Sequence, residues 1–212
     1  MAESSTVIHV DLWEVWKWVA PVLGAICIKG IEKLISIRKN RLEKEKKDPV
    51  TDAVSRNILV EIRLDEIMND YEADRVWVSQ FHNGGNFYPT GRSITKFSIF
   101  YENVKPGCNL IGDKFQNIPV SIFSRMVDYI WKNSMLCVPD FSKLQHQDFD
   151  IKGINKDGDE KSTYMVAIKS IDNKFLGMLG ISYIKKKRVL SEERIQNLQI
   201  HAATIGSVLS KH

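Results

Sequence analysis

In the stretch RVWVSQFHNGGNFYPTG, residues 75–91, His82 stands beside Asn83, Gly84 and Gly85, with the aromatics Phe87 and Tyr88 just beyond. An imidazole there could act as a general base, a metal ligand or a hydrogen-bonding contact. General-base catalysis needs an orienting partner and a nucleophile or activated water within reach. No nucleophile motif lies nearby, and the acidic residues cluster elsewhere. Metal binding needs ligands at paired spacings, and His9, His82, His146, His201 and His212 show none. The expectation is therefore a non-enzymatic site without metal or cofactor. Asn83-Gly84 is the preferred pair for a type I′ hairpin turn, and Gly85 allows a second positive φ. A turn does not account for the two aromatics, so two readings stand: a simple turn, or a loop that holds a ligand or partner.

The next strand candidate, KFSIFYE, suggests what such a loop would face. Strict alternation points Phe97, Ile99 and Tyr101 one way and Ser98, Phe100 and Glu102 the other. The second set joins an aromatic wall to polar groups, as small-molecule sites do. The plainer reading is a buried, hydrogen-bonded Ser98 and an exposed Glu102.

The elements that would position these residues follow from periodicity. Asp48-Pro49 is an N-cap followed by proline at the first helical position, and Val50, Val54, Ile58, Ile62 and Ile67 continue a helix to about Tyr71. Strands are predicted over 75–81 and 96–101, and a helix over 119–132 with Ile122, Met126 and Ile130 on one stripe. A short strand over 134–140 ends at a Pro-Asp turn, and a long polar loop covers 141–161. Two apolar runs around Asp172-Asn173-Lys174 predict a hairpin. Ser191 caps a last helix with Glu192 and Glu193 in its first turn and an apolar stripe through Ile195, Leu198, Ala202, Ile205 and Leu209. This order describes an α+β domain with an antiparallel sheet flanked by N- and C-terminal helices on the same face.

Charge and hydropathy set the N-terminal part apart. The chain of 212 residues carries a net +4, but residues 29–47 hold eight Lys or Arg against three Glu. That collar alone is +5, so the remainder sums to −1, which argues against a nucleic-acid-binding domain. Before it lies WVAPVLGAICI, residues 18–28, without a charge and crowded at one end by Trp13, Trp16 and Trp18, as at a membrane interface. Eleven residues fall short of the roughly 20 needed to span a bilayer. The reach extends over 10–37 only if Lys17, Lys29 and Glu32 snorkel or face a partner helix. The division is a membrane-associated segment at 1–28, a basic juxtamembrane linker at 29–48 and a globular domain at 49–212. A basic collar after the segment places the domain on the cytoplasmic side. Asp11 and Glu14 precede the apolar run in place of a basic region, which argues against a cleaved signal. Cys27, Cys108 and Cys137 form no CxxC pair and suit a reducing compartment.

CVPD at 137–140, STYMVAIKSIDNKFLGMLGISYI at 162–184 and LSEERIQNLQIHAATIGSVLSK at 190–211 together resemble the second half of a GAF domain, and the resemblance covers residues 49 to 211. It implies a sensor or interaction module with a pocket between the sheet and the connections over one face. His82, Asn83, Gly84, Phe87 and Tyr88 would then form part of a lid, with Ser98, Phe100 and Glu102 in the wall. The layout, one N-terminal membrane segment before a large soluble domain, also resembles T-even-type phage holins. That resemblance implies an alternative: a phage-encoded holin whose membrane segments permeabilise the bilayer while the domain times lysis. The charge-interrupted segment and the inward-facing domain depart from those holins. The partners expected are the membrane, an unknown small molecule or protein, and a second copy. Homodimerisation would use the terminal helices, through Val54, Ile58 and Ile62 and the stripe through Ile195, Leu198 and Ile205.

Overall fold

The computed structural model describes residues 28–40, 48–144 and 160–210. The chain divides into two units, Met1–Ala53 and Val54–His212. In the first, residues 28–40 form helix α1, whose Ile28, Ile31, Leu34, Ile35 and Ile37 are all exposed. Apart from Ile28, the expected membrane segment with Trp13, Trp16 and Trp18 lies outside the described residues. No helix among those described is long and apolar enough to cross a membrane.

Helix α2 spans Pro49–Tyr71. Asp48 caps it, accepting from Val50 N and Thr51 N at 3.2 and 3.3 Å. The Thr51 hydroxyl, followed by those two amides, holds the Asp48 carboxyl below the usual range. Val60, Leu64, Ile67 and Tyr71 are buried along one side of α2, whereas Val54, Ile58 and Ile62 are about half exposed. Residues two apart point about 200° away from each other on a helix, so the two sets occupy opposite sides.

Six strands form one antiparallel sheet: β1 (Arg75–Asn86), β2 (Ser93–Val104), β3 (Ile118–Pro119), β4 (Met135–Val138), β5 (Ser162–Lys169) and β6 (Phe175–Tyr183). Their spatial order is β3-β2-β1-β6-β5-β4. Helix α3 (Ser124–Asn133) precedes β4, and α4 (Glu192–Leu209) ends the fold, with Ser191 Oγ accepting from Arg194 N as predicted. Alternation splits the interior into two cores. Tyr164, Val166, Ile168, Leu179 and Ile181 pack with Leu64 and Ile67 of α2 and Leu198 and Ile205 of α4. Trp77, Phe97, Ile99, Met165 and Met178 pack on the other face with Met126 and Ile130 of α3. Gly180 makes that second core possible, because a Cβ there would lie 2.1 Å from the Trp77 ring.

Three sequence expectations change. The strands over 75–81 and 96–101 extend to Asn86 and back to Ser93, so residues 82–86 belong to β1. The helix expected from Pro119 opens as a 3-10 turn over Val120–Phe123, which leaves Ile122 exposed and buries Phe123 instead. Leu198 and Ile205, offered as half of a dimer stripe, are 1% exposed and serve the core of their own domain.

Candidate ligand-binding site

A cavity of about 30 Å³ lies in the second core, lined by Trp77, Phe97, Ile99, Ile111, Phe115, Met126, Glu160, Met165 and Met178. That is room for a water or two, an order of magnitude below the roughly 300 Å³ where pockets for drug-sized molecules begin. Its walls are soft, however. Three of the lining residues are methionines, whose unbranched side chains repack easily.

A bulge decides which β2 residues face this cavity. Val78 pairs with Tyr101 but Ser79 with Ile99, so Phe100 is the extra residue opposite β1. An extra residue inverts the alternation beyond it. Phe97, Ile99 and Glu102 therefore share the cavity side, while Tyr101 packs against the helix-side core and donates to Asn57 Oδ1 at 2.6 Å. The expected wall of Ser98, Phe100 and Glu102 is not assembled. Phe100 is 55% exposed, and Ser98 lies buried on the other side of the strand.

Glu102 has a different task from the one expected. Its carboxylate accepts from Ile111 N and Gly112 N, the latter at 2.7 Å, and lies 3.3 Å from Nε of Arg75. The Arg75 side chain is only 1% exposed. Nη2 donates to the Asn109 carbonyl at 2.6 Å, and Nη1 to Glu160 Oε1 at 2.7 Å. A buried guanidinium thus joins β1, the connection after β2 and the residue that enters β5. Four residues further along β1, the Ser79 hydroxyl is fully buried and finds no hydrogen-bond partner among the described residues. Its cross-strand neighbours Ile99 and Met178 both line the cavity.

The HNGG stretch is a bulge inside the hairpin, and the turn lies beyond it. Asn83 pairs with Thr95 and Asn86 with Ser93, which leaves one extra residue on β1. Asn83 Oδ1 accepts from Gly85 N at 3.0 Å and Ser93 Oγ at 2.9 Å, and Gly85 takes φ +100. Of the positive φ angles expected here, the one at Gly85 is found, whereas Asn83 and Gly84 do not adopt the type I′ turn. A Cβ at Gly84 would meet only the flexible Lys96 side chain. The reversal itself is closed by Phe87 N to Arg92 O and Gly91 N to Phe87 O, both 2.8 Å. Phe87 and Tyr88 are 55% and 98% exposed at that tip, so they do not line the cavity.

His82 Nε2 lies 2.9 Å from Ser98 Oγ, which also accepts from Asn117 N at 2.8 Å. The direction of that bond follows the ring tautomer: with Nδ1 protonated toward the Asn83 carbonyl, 3.5 Å away, Nε2 accepts the Ser98 hydroxyl proton. A hydroxyl donating to an imidazole can be an activated nucleophile. Ser98 is 2% exposed, and that burial counts against its reaching a substrate. The pair fastens the strand after β1's bulge to the connection at Asn117.

Sequence reasoning missed Arg75, Trp77, Glu160 and the three methionines of the cavity. Arg75 left a signal, since it is a cation opening an otherwise apolar strand. Glu160 left none, because it sits at the end of a long polar segment.

An α+β domain with a six-stranded antiparallel sheet, α2 and α4 on one face and α3 with a small cavity on the other defines the class. No protein-family model and no curated protein matches this sequence. Solved structures do match its fold. The PixJ GAF domain of Thermosynechococcus elongatus in its blue-light absorbing form aligns with a TM-score of 0.58 at 15% identity, covering 76% of this chain and 88% of that one. The photoproduct state of GAF3 from Slr1393 of Synechocystis sp. PCC6803 gives 0.56 at 16%, covering 73% and 92%. The GAF domain region of a protein from Geobacter sulfurreducens PCA gives 0.55 at 11%, covering 76% and 96%. The fold is that of a GAF domain. The holin-like layout finds no support in these comparisons.

Proposed function

We propose that this chain is a membrane-anchored, non-enzymatic sensor whose GAF-fold domain binds a small molecule in the cavity of the second core. The observation that carries the reading is the buried Ser79 hydroxyl, without a partner among the described residues and opposite Ile99 and Met178 of the cavity wall. A buried polar group left unpaired costs about 1–3 kcal/mol, and a ligand that accepts or donates there recovers it. The fold's counterparts include a far-red cyanobacteriochrome photoreceptor and a phycocyanobilin-bound domain, which supports a sensory role in the general sense. Small neutral probes such as xenon or benzyl alcohol are expected to enter by displacing the methionines. With methyl-¹³C methionine, NMR should show shifts at Met126, Met165 and Met178; probes that leave all three unmoved would sink the reading.

Anchoring rests on the apolar run before the basic collar and on its three tryptophans, and it places the domain on the cytoplasmic side. The full chain should sediment with membranes and resist carbonate washing. Complete release by carbonate would reduce the anchor to peripheral attachment. The outer side of α2, with Val54, Ile58 and Ile62 about half exposed, supports a homodimer formed through that helix.

A further inference from the structure

We propose that the molecule this cavity accepts is an amphipathic monocarboxylate, whose carboxylate takes from Arg75 the place that Glu160 now holds. The inference rests on the ligand-binding reading above and adds the chemical class. A guanidinium 1% exposed must be balanced by its partners, and those of Arg75 are not equivalent. Glu102 is fixed by the Ile111 and Gly112 amides, and the Asn109 carbonyl belongs to the backbone. Glu160 is different, because its side chain forms part of the cavity wall while its Oε1 takes Nη1 of Arg75.

The backbone beside Glu160 is anchored. Lys161 O accepts from Phe141 N at 3.0 Å, and Lys161 N donates to Tyr183 O at 2.8 Å. With that backbone held, Nη1 is uncovered at the wall when the Glu160 side chain rotates away from it. An arriving carboxylate replaces like with like, with the same charge and the same planar acceptor geometry. Arg75 is never left as an uncompensated buried charge, the step that would be costly. The remaining wall of Trp77, Phe97 and Phe115 with the methionines suits an aromatic or aliphatic body. A cationic ligand fits less well, since Glu102 already accepts from two amides and Glu160 from Arg75.

The experiment titrates the full-length chain and its Glu160→Ala and Glu160→Gln variants with benzoate, hexanoate, benzyl alcohol and benzylamine, followed by thermal midpoint and methionine-methyl NMR. Removing one partner of a buried pair should lower the midpoint of Glu160→Ala by about 10 °C. Millimolar benzoate or hexanoate should restore part of that loss, and benzyl alcohol, which brings no carboxylate to Arg75, clearly less. Both variants should bind benzoate roughly tenfold or more tightly than the parent, because the competing carboxylate is gone. If Glu160→Ala does not fold, Glu160→Gln and the parent decide by the same titration. Equal methionine shifts from benzoate, benzyl alcohol and benzylamine, or shifts from benzylamine alone, would overturn the carboxylate assignment and leave the cavity as a binding site. No shift from any probe would overturn the ligand-binding reading itself.

Discussion

Along β5, Tyr164, Val166 and Ile168 face α2 and α4, while Met165 and Ala167 face the cavity, and the two sides of that strand are finished differently. On the helix side the buried hydroxyls are satisfied. Tyr183 donates to Tyr71 O at 2.9 Å, Tyr164 to Arg188 O at 3.0 Å, and Tyr71 to Arg194 O at 2.7 Å. Burial pushes the Tyr183 phenol up to about 12, which keeps it neutral and donating. On the cavity side a serine hydroxyl has no partner among the described residues, an ion network reaches the wall through Glu160, and methionines supply part of the lining. Satisfied hydrogen bonds and rotamer-poor side chains specify one packing. Unsatisfied groups and methionines leave room for another. The difference separates the face that holds the domain together from the face that can respond.

A substitution series across the faces sharpens this most. Ile205→Ala, on the helix side and 1% exposed, should cost about 2–5 kcal/mol. For a chain of this size that lowers the melting midpoint by about 5–20 °C. Met178→Leu, on the cavity side, conserves volume and should cost less than about 1.5 kcal/mol. Ile58→Glu, on the outer side of α2, should change the stability of the monomer by only about ±0.5 kcal/mol, yet abolish the proposed dimer in light-scattering mass measurements. Equal losses at Ile205 and Met178 would erase the distinction between the faces. A dimer that survives Ile58→Glu would remove α2 from the interface.

The helix face was legible in the sequence, and the cavity face was not. Ser191 with Glu192 and Glu193 marks the start of α4, and Leu198, Ala202 and Ile205 mark its buried side, because capping and periodicity are local. Asp48-Pro49 marks the start of α2, but the stripe read there through Val54, Ile58 and Ile62 is its exposed side, and Val60 and Leu64 are the buried one. The hidden element was the bulge at Phe100. Alternation over 96–102 assumes one residue opposite one residue, and the pairing of Val78 with Tyr101 and Ser79 with Ile99 breaks that assumption. Two-residue periodicity then assigns Ile99 and Ser98 to the wrong sides. In the same way, Asn83-Gly84 carries the composition of a hairpin turn, while Phe87 N and Arg92 O close the real one. Register is a property of two strands, and one strand's residues do not contain it.

A small effect is also expected at His82. Its Nε2 shares a hydrogen bond with Ser98 Oγ, which also accepts from the Asn117 amide. His82→Ala removes one hydrogen bond at a half-buried position, worth about 0.5–1.5 kcal/mol. Ser98→Ala should cost more, about 1–3 kcal/mol, because it also strips the Asn117 amide of its partner in a buried setting. Amide hydrogen exchange reads the difference directly: Asn117 should lose protection in Ser98→Ala and retain most of it in His82→Ala. Neither substitution touches the cavity wall, so benzoate or benzyl alcohol should shift the three cavity methionines as in the parent. A loss of probe binding with His82→Ala would join the hairpin bulge to the site. If His82→Ala instead abolished turnover of some substrate while leaving its binding intact, the buried Ser98–His82 pair would be catalytic machinery and the non-enzymatic reading would fall.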